Sequence, residues 1–328
     1  MHKTPSSVDL VDRSIIFPVF SGLFVALRFG HNEDVKYEQD LVRMFLRETK
    51  VYNDFHFSRA LAMRAEMLAR HGKFGLAFQT VQEMQELYHV NEHSYPISQA
   101  YGSDRCGQCI AQSALWRYSL GQISEALDIC GHVIQDLIPQ MDHQNVSNYF
   151  QMLYPLIWVM KDNGKALDAM EAFDKHVVKK SLKKLDERGV TSDRPLHMPI
   201  MALLDMIVTS CTTDKLQSYI DWISVEKNGL FGSELNFTMG SCGRTADSIT
   251  AEMCLILSHH LEDDCERTLF IQKGFELARD AIELTKEKED SKGMIVANIQ
   301  VMPIFQELAV MHHALPPEGW SRRLSCRW

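Results

Sequence analysis

The chain has 328 residues, 45% hydrophobic and 23% charged, a composition that excludes wholesale disorder and a length beyond what one compact core usually carries. Its formal net charge of -9 repels phosphate backbones, so no nucleic-acid partner is expected outside a concentrated basic patch. Eight cysteines lie scattered through helical stretches, without the dense spacing of a disulfide-stapled scaffold, and read as reduced thiols of a cytoplasmic protein.

Residues 1–14 are polar, contain Pro5 and predict a disordered N-terminus. The one strongly apolar run, Ile15 to Leu27, is shorter than the roughly twenty residues that cross a bilayer, and Asp9 and Asp12 spoil the basic start of a signal peptide. A buried first helix is expected there, with no membrane contact.

Helical periodicity then runs almost unbroken and predicts an all-α chain. Helices fall near 15–30, 34–50, 53–71, 73–90, 104–120, 122–139, 144–162, 164–188, 195–211, 213–227, 244–260, 264–288 and 291–312. Asp104, Asp142 or Asn145, and Thr212-Thr213-Asp214 stand where helices start, and Gly72, Gly121, Gly164 and Gly189 stand where they end. Residues 89–107 and 228–244 break this rhythm with Gly, Ser and Asn among aromatics, and predict long loops that could carry a ligand surface. Pro316-Pro317 closes the last helix and leaves 313–328 as a disordered tail.

One phrase occurs twice. Leu61, Ala65, Leu68, Gly72, Phe74, Ala77 and Val81 are followed by Ile110, Ala114, Gly121, Ile123, Ala126 and Cys130 at closely matching spacing, and Gly164-Lys-Ala166 opens a third copy. Two helix axes approach to about 8–10 Å only where small side chains meet, and a glycine at the intervening turn supplies positive φ. The phrase therefore predicts helical hairpins stacked on one another, a single α-solenoid of about six hairpins over 15–312.

This spacing resembles the tetratricopeptide repeat, although Ala77 and Ala126 stand 49 residues apart rather than thirty-four, which implies an irregular superhelix. A longer resemblance rests on FPVFSGLFVALRFG (17–30), AYGSDRCGQCIAQSALWRYSLGQISEAL (100–127) and LIWVMKDNGKALDA (156–169). These blocks look like the C-terminal helical region of large AAA/STAND-type ATPase signalling proteins, often associated with a nucleotide cyclase or kinase. That resemblance implies a sensor or protein-contact arm without the catalytic domains. No G-x-x-x-x-G-K-[ST] loop or kinase signature is found, so neither a nucleotide cofactor nor enzymatic activity is expected.

By analogy with tetratricopeptide arrays, the first helix of each hairpin lines a concave wall that takes a protein or peptide. The partner-binding positions implied are Arg59, Glu66 and Arg70 in one unit and Gln108, Gln112, Leu115 and Tyr118 in the next. A small-ligand sensor arm of an AAA/STAND-type ATPase or cyclase is the alternative.

Other clusters have plainer explanations. Cys106 and Cys109 have the spacing of a zinc half-site, but no second pair follows and both are expected in the core. His259-His260 with Asp263, Asp264 and Cys265 fits a solvated helix end better than a metal site, since adjacent helical residues point about 100° apart. Lys175, Lys179, Lys180, Lys183 and Lys184 form a stripe best read as an exposed face, with an acidic partner, RNA or an anionic membrane as the functional option. Trp116, Trp158 and Trp222 are expected as core anchors.

Overall fold

A computed structural model describes residues 7–29, 35–144, 146–179, 198–208, 246–287 and 302–313. Among these residues the protein is all-helical, with no strand. It divides into two compact units, Met1–Asp193 and Arg194–Trp328. The division falls in the polar stretch GVTSDRP, a composition that offers little to bury.

The first unit begins with α1 (Ser7–Phe29) and α2 (Val35–Thr49). α1 starts well inside the stretch expected to be disordered, because Pro5-Ser-Ser followed by Asp9 is a helix-start signature. Its apolar run is two-sided: Phe17 and Phe24 are buried, while Ile15, Val19 and Leu23 are exposed. Phe17 packs on Phe45 of α2 and edge-on to Tyr52, and these rings join Leu41, Val42, Ala60 and Met63 in one cluster. Each fully buried Phe contributes roughly 1.5–3 kcal/mol relative to an exposed one.

Three hairpins follow. They are α3 (Asp54–Arg70) with α4 (Phe74–Gln85), then α6 (Arg105–Ser119) with α7 (Ile123–His132), then α8 (Val146–Asp162) with α9 (Ala166–Phe173). Their turns have one construction. Gly72, Gly121 and Gly164 take φ of 70°, 76° and 74°. At each turn the glycine N–H donates to the carbonyl three residues back, and the next residue's N–H donates to the carbonyl five residues back: Gly72 to Ala69 and Lys73 to Leu68, Gly121 to Tyr118 and Gln122 to Arg117, Gly164 to Lys161 and Lys165 to Met160. This paired closure is the Schellman motif, which satisfies carbonyls the helix end leaves open. Ala77, Ala126 and Ala169 stand five residues after the three glycines, so the third copy aligns on Ala169, with Ala166 matching Phe74 and Ile123.

Each first helix packs on its own second helix and on the next first helix, α3 on α4 and α6, and α6 on α7 and α8. Ala65, Ala77, Ala114 and Ala126 are fully buried at these crossings, and Trp116 and Trp158 fill the interior. The second helices of the last two hairpins end differently from the first. α7 runs into a π-helical turn (Val133–Leu137) and a 3₁₀ turn (Ile138–Gln140), and α9 runs into a π-helical turn (Asp174–Val178).

Residues 89–107, predicted as a long loop, contain α5 (Val90–Tyr101), which packs against α1, α3 and α6. Pro96 and the polar composition disguise it. Burial of Ser94 and Ile97, the Ser98 hydroxyl bonded back to the Ser94 carbonyl, and Gly102 at φ 78° as C-cap outweigh the N–H that Pro96 lacks.

In the second unit α10 (Met198–Val208) packs on α11 (Ala246–His260), and α11, α12 (Asp264–Glu287) and α13 (Met302–His313) pack together around Ala251, Leu255, Ala278, Ile282, Ile304 and Leu308. Gly274 makes the closest approach, since a Cβ there would meet Cys254 Cβ at 2.9 Å and Leu308 Cδ1 at 3.1 Å. Residues 228–244, Trp222 and the predicted helix 213–227 lie outside the described residues. No described helix is long and apolar enough to cross a membrane.

Candidate functional site

The seven positions expected on an open wall take up interior or half-covered places, Leu115 among the interior ones. Arg59, Glu66, Gln108 and Gln112 are buried, and Arg70 and Tyr118 are half-buried. α1, α2 and α5 cover the face of α3 that the repeat analogy leaves open, and α8 covers that of α6.

Arg59 lies at the centre of this covered seam. Its Nη2 donates to Ser21 Oγ of α1 at 2.8 Å, and its guanidinium sits 5.7 Å from the Tyr101 ring centroid of α5. Its Nε and Nη1 meet no acceptor among the described residues. Tyr101 OH is 2.5 Å from Nδ1 of His56, whose burial lowers its pKa to about 4, so the ring is neutral.

Nearby, Tyr88 donates to Asp104, which accepts the Cys106 and Gly107 N–H groups as N-cap of α6. Burial raises the pKa of Asp104 and pushes the Cys106 thiol well up, so Cys106 keeps its proton. Arg70 Nη1 bonds the buried Glu38 carboxylate of α2 at 2.7 Å, with His71 Nε2 at 3.3 Å from the other oxygen. Gln108 donates to Asn148 at 3.2 Å, and Tyr118 donates to Asp162 at 3.3 Å. These residues tie helices together.

No protein-family model, curated protein or solved structure matches this chain. The geometry of its own surface therefore carries the functional assignment.

An accessible concavity lies on the other side of the hairpins, between the second helices. It has a volume of about 520 Å³, within the range of ligand sites. Leu127, Cys130 and Gly131 of α7 and Ile134 and Gln135 of its π-helical turn form one side. Lys165 at the N-cap of α9, Asp168, Glu171 and Ala172 along it and Lys175 and His176 of the second π-helical turn form the other, and Met160 of α8 closes the floor. Cys130, Met160 and Ala172 are buried, and burial pushes the Cys130 thiol up to about 12 against the pull of the Lys165 ammonium, so the floor is uncharged. Sequence reasoning reached only Cys130, as a packing position, and Lys175, as part of the lysine stripe. The signal that could have found the groove is the third repeat copy, whose register places α9 beside α7.

The remaining clusters are local. Lys179 pairs with Asp174 at 2.8 Å, and the rest of the lysine stripe beyond Lys175 lies outside the described residues. His259 faces Glu307 at 3.0 Å, and Asp263 caps α12 by accepting the Cys265 and Glu266 N–H groups. Cys109 is buried, with its thiol directed at the Ala62 carbonyl.

Proposed function

We propose that this chain is a non-enzymatic scaffold or regulatory protein whose hairpins stack as an irregular tetratricopeptide-like solenoid and bind a protein or peptide in cytoplasmic signalling. The observation that supports it most is the shared register of three hairpins: identical Schellman turns, alanines five residues later, and first helices packed in the series α3, α6, α8. Stacked hairpins of this kind expose long continuous surfaces, which suit extended partners. The likeness to helical arms of AAA/STAND-type ATPases points to the same role. Because Arg59, Glu66, Gln108 and Gln112 are buried, the groove between α7 and α9 is the favoured contact surface.

The test is reconstitution. A partner identified by in-cell proximity labelling should form a saturable complex with the purified chain, seen by light scattering after size exclusion. A chain that forms no such complex yet turns over ATP, or cyclises a nucleotide, would refute the scaffold role.

A groove of about 520 Å³ also favours a second reading, a sensor arm for a small ligand. Raised thermal midpoints with a metabolite and no partner complex would select it.

A further inference from the structure

The groove between α7 and α9 is bordered by both π-helical turns of the described chain, Val133–Leu137 and Asp174–Val178. Such turns account for well under 1% of residues in globular proteins and concentrate at functional sites. Two of them flanking one concavity is an observation independent of its volume.

The rim along α9 carries a second signal. Lys165 at the N-cap of α9, Asp168 and Glu171 within it and Lys175 in the π-helical turn that follows are all exposed, line the groove and read plus, minus, minus, plus. Among the described residues none of the four makes an ion pair, whereas Arg43 pairs with Asp40, Lys179 with Asp174 and Arg279 with Asp280. The ten residue steps from Lys165 to Lys175 rise about 15 Å, which sets the length of whatever matches them. A small anion or a lipid surface would be met by one sign of charge, and a line of cancelling charges beside an apolar floor suits neither.

We infer that this groove receives an amphipathic helix of a protein partner, about three turns long. Its apolar side chains seat against the half-buried Leu127 and Ile134 above the floor of Cys130, Met160 and Ala172, and its acidic ends and basic centre face the α9 rim. The mode is a helix laid in a groove, recognised by spaced apolar anchors with charge fixing register. The inference rests on the scaffold reading and names the partner of that same site.

The test uses the full chain and two labelled helical peptides with the same apolar face, one with acidic ends and a basic centre and one with the charges exchanged. Fluorescence anisotropy should show the acidic-ended peptide binding about tenfold tighter, and a chain with Lys165→Glu, Asp168→Lys, Glu171→Lys and Lys175→Glu should reverse that preference. Gly131→Leu extends a side chain into open space, since a Cβ there meets nothing within 4 Å. It should fill the groove and weaken both peptides about tenfold without lowering the thermal midpoint. Equal binding of the two peptides, or wild-type binding by a folded Gly131→Leu chain, overturns the inference. A cellular partner retained equally by both variants also overturns it while leaving the scaffold role standing; loss of that partner from both supports it.

Discussion

Arg70→Met should destabilise the first unit by about 2–3 kcal/mol, because it strands a carboxylate rather than because it removes a surface charge. Glu38 is 4% exposed; Arg70 Nη1 donates to one of its oxygens at 2.7 Å, and His71 Nε2 lies 3.3 Å from the other without a hydrogen bond. Removing one member of a fully buried pair costs about 3–5 kcal/mol. The Arg70 side chain is 26% exposed, so water reaches the gap and the expected loss falls below that range. Urea denaturation followed by far-ultraviolet circular dichroism measures it, in a cycle with Glu38→Gln and the double variant. The double variant should recover about 1–2 kcal/mol of the summed single losses. Additive single losses, or an Arg70→Met cost within about 0.5 kcal/mol of zero, would refute the tie between α2 and α3. Retained stability with loss of a partner would return Arg70 to the binding surface that the repeat analogy gives it.

Gly274→Ala should cost about 1–3 kcal/mol by overpacking, since the added Cβ meets Cys254 Cβ and Leu308, whereas Gly107→Ala should be close to neutral because the obstructing Met141 Cε ends a flexible chain; thermal melts of the two variants decide. Gly121→Ala has open space for its Cβ but φ of 76°, so its loss of about 1–2 kcal/mol comes from backbone alone, and Gly121→Asn should lose less. His56 has its pKa lowered from 6.5 to about 4 by burial, so the unfolded chain takes up its proton first as pH falls. Its contribution is present above pH 6.5 and is lost as pH drops toward 4, and a His56→Gln chain should show a flatter stability profile across that window in chemical denaturation.

The hairpins could be read from the sequence because their signals are local. A glycine with positive φ, an alanine five residues later and a matching alanine in the preceding helix are properties of single turns and single crossings, and they survive changes in repeat length. α5 could not be read this way, because Pro96 and its polar neighbours favour a loop and only burial of Ser94 and Ile97 among three helices reverses that preference. The burial of the wall positions was hidden from the sequence for a related reason. The repeat analogy places Arg59 and Glu66 on the inner face of α3 and Gln108 on that of α6 but does not say what covers those faces, and here α1 and α5 bring Ser21 and Tyr101 to Arg59 while α8 brings Asn148 to Gln108. The groove was missed because its two sides lie about forty residues apart on second helices, and its shape depends on π-helical turns that leave no mark in hydrophobic periodicity.

The guanidinium of Arg59 has a consequence for how the first unit opens. Two of its nitrogens are buried and meet no acceptor among the described residues, so lifting α1 breaks the bond to Ser21 but lets water hydrate donors whose desolvation costs about 1–3 kcal/mol. The outer side of α1 resists little, because Ile15, Val19 and Leu23 already face solvent. α1 should therefore open before the rest of this unit, its amide protons exchanging with deuterium well ahead of those in the enclosed α6.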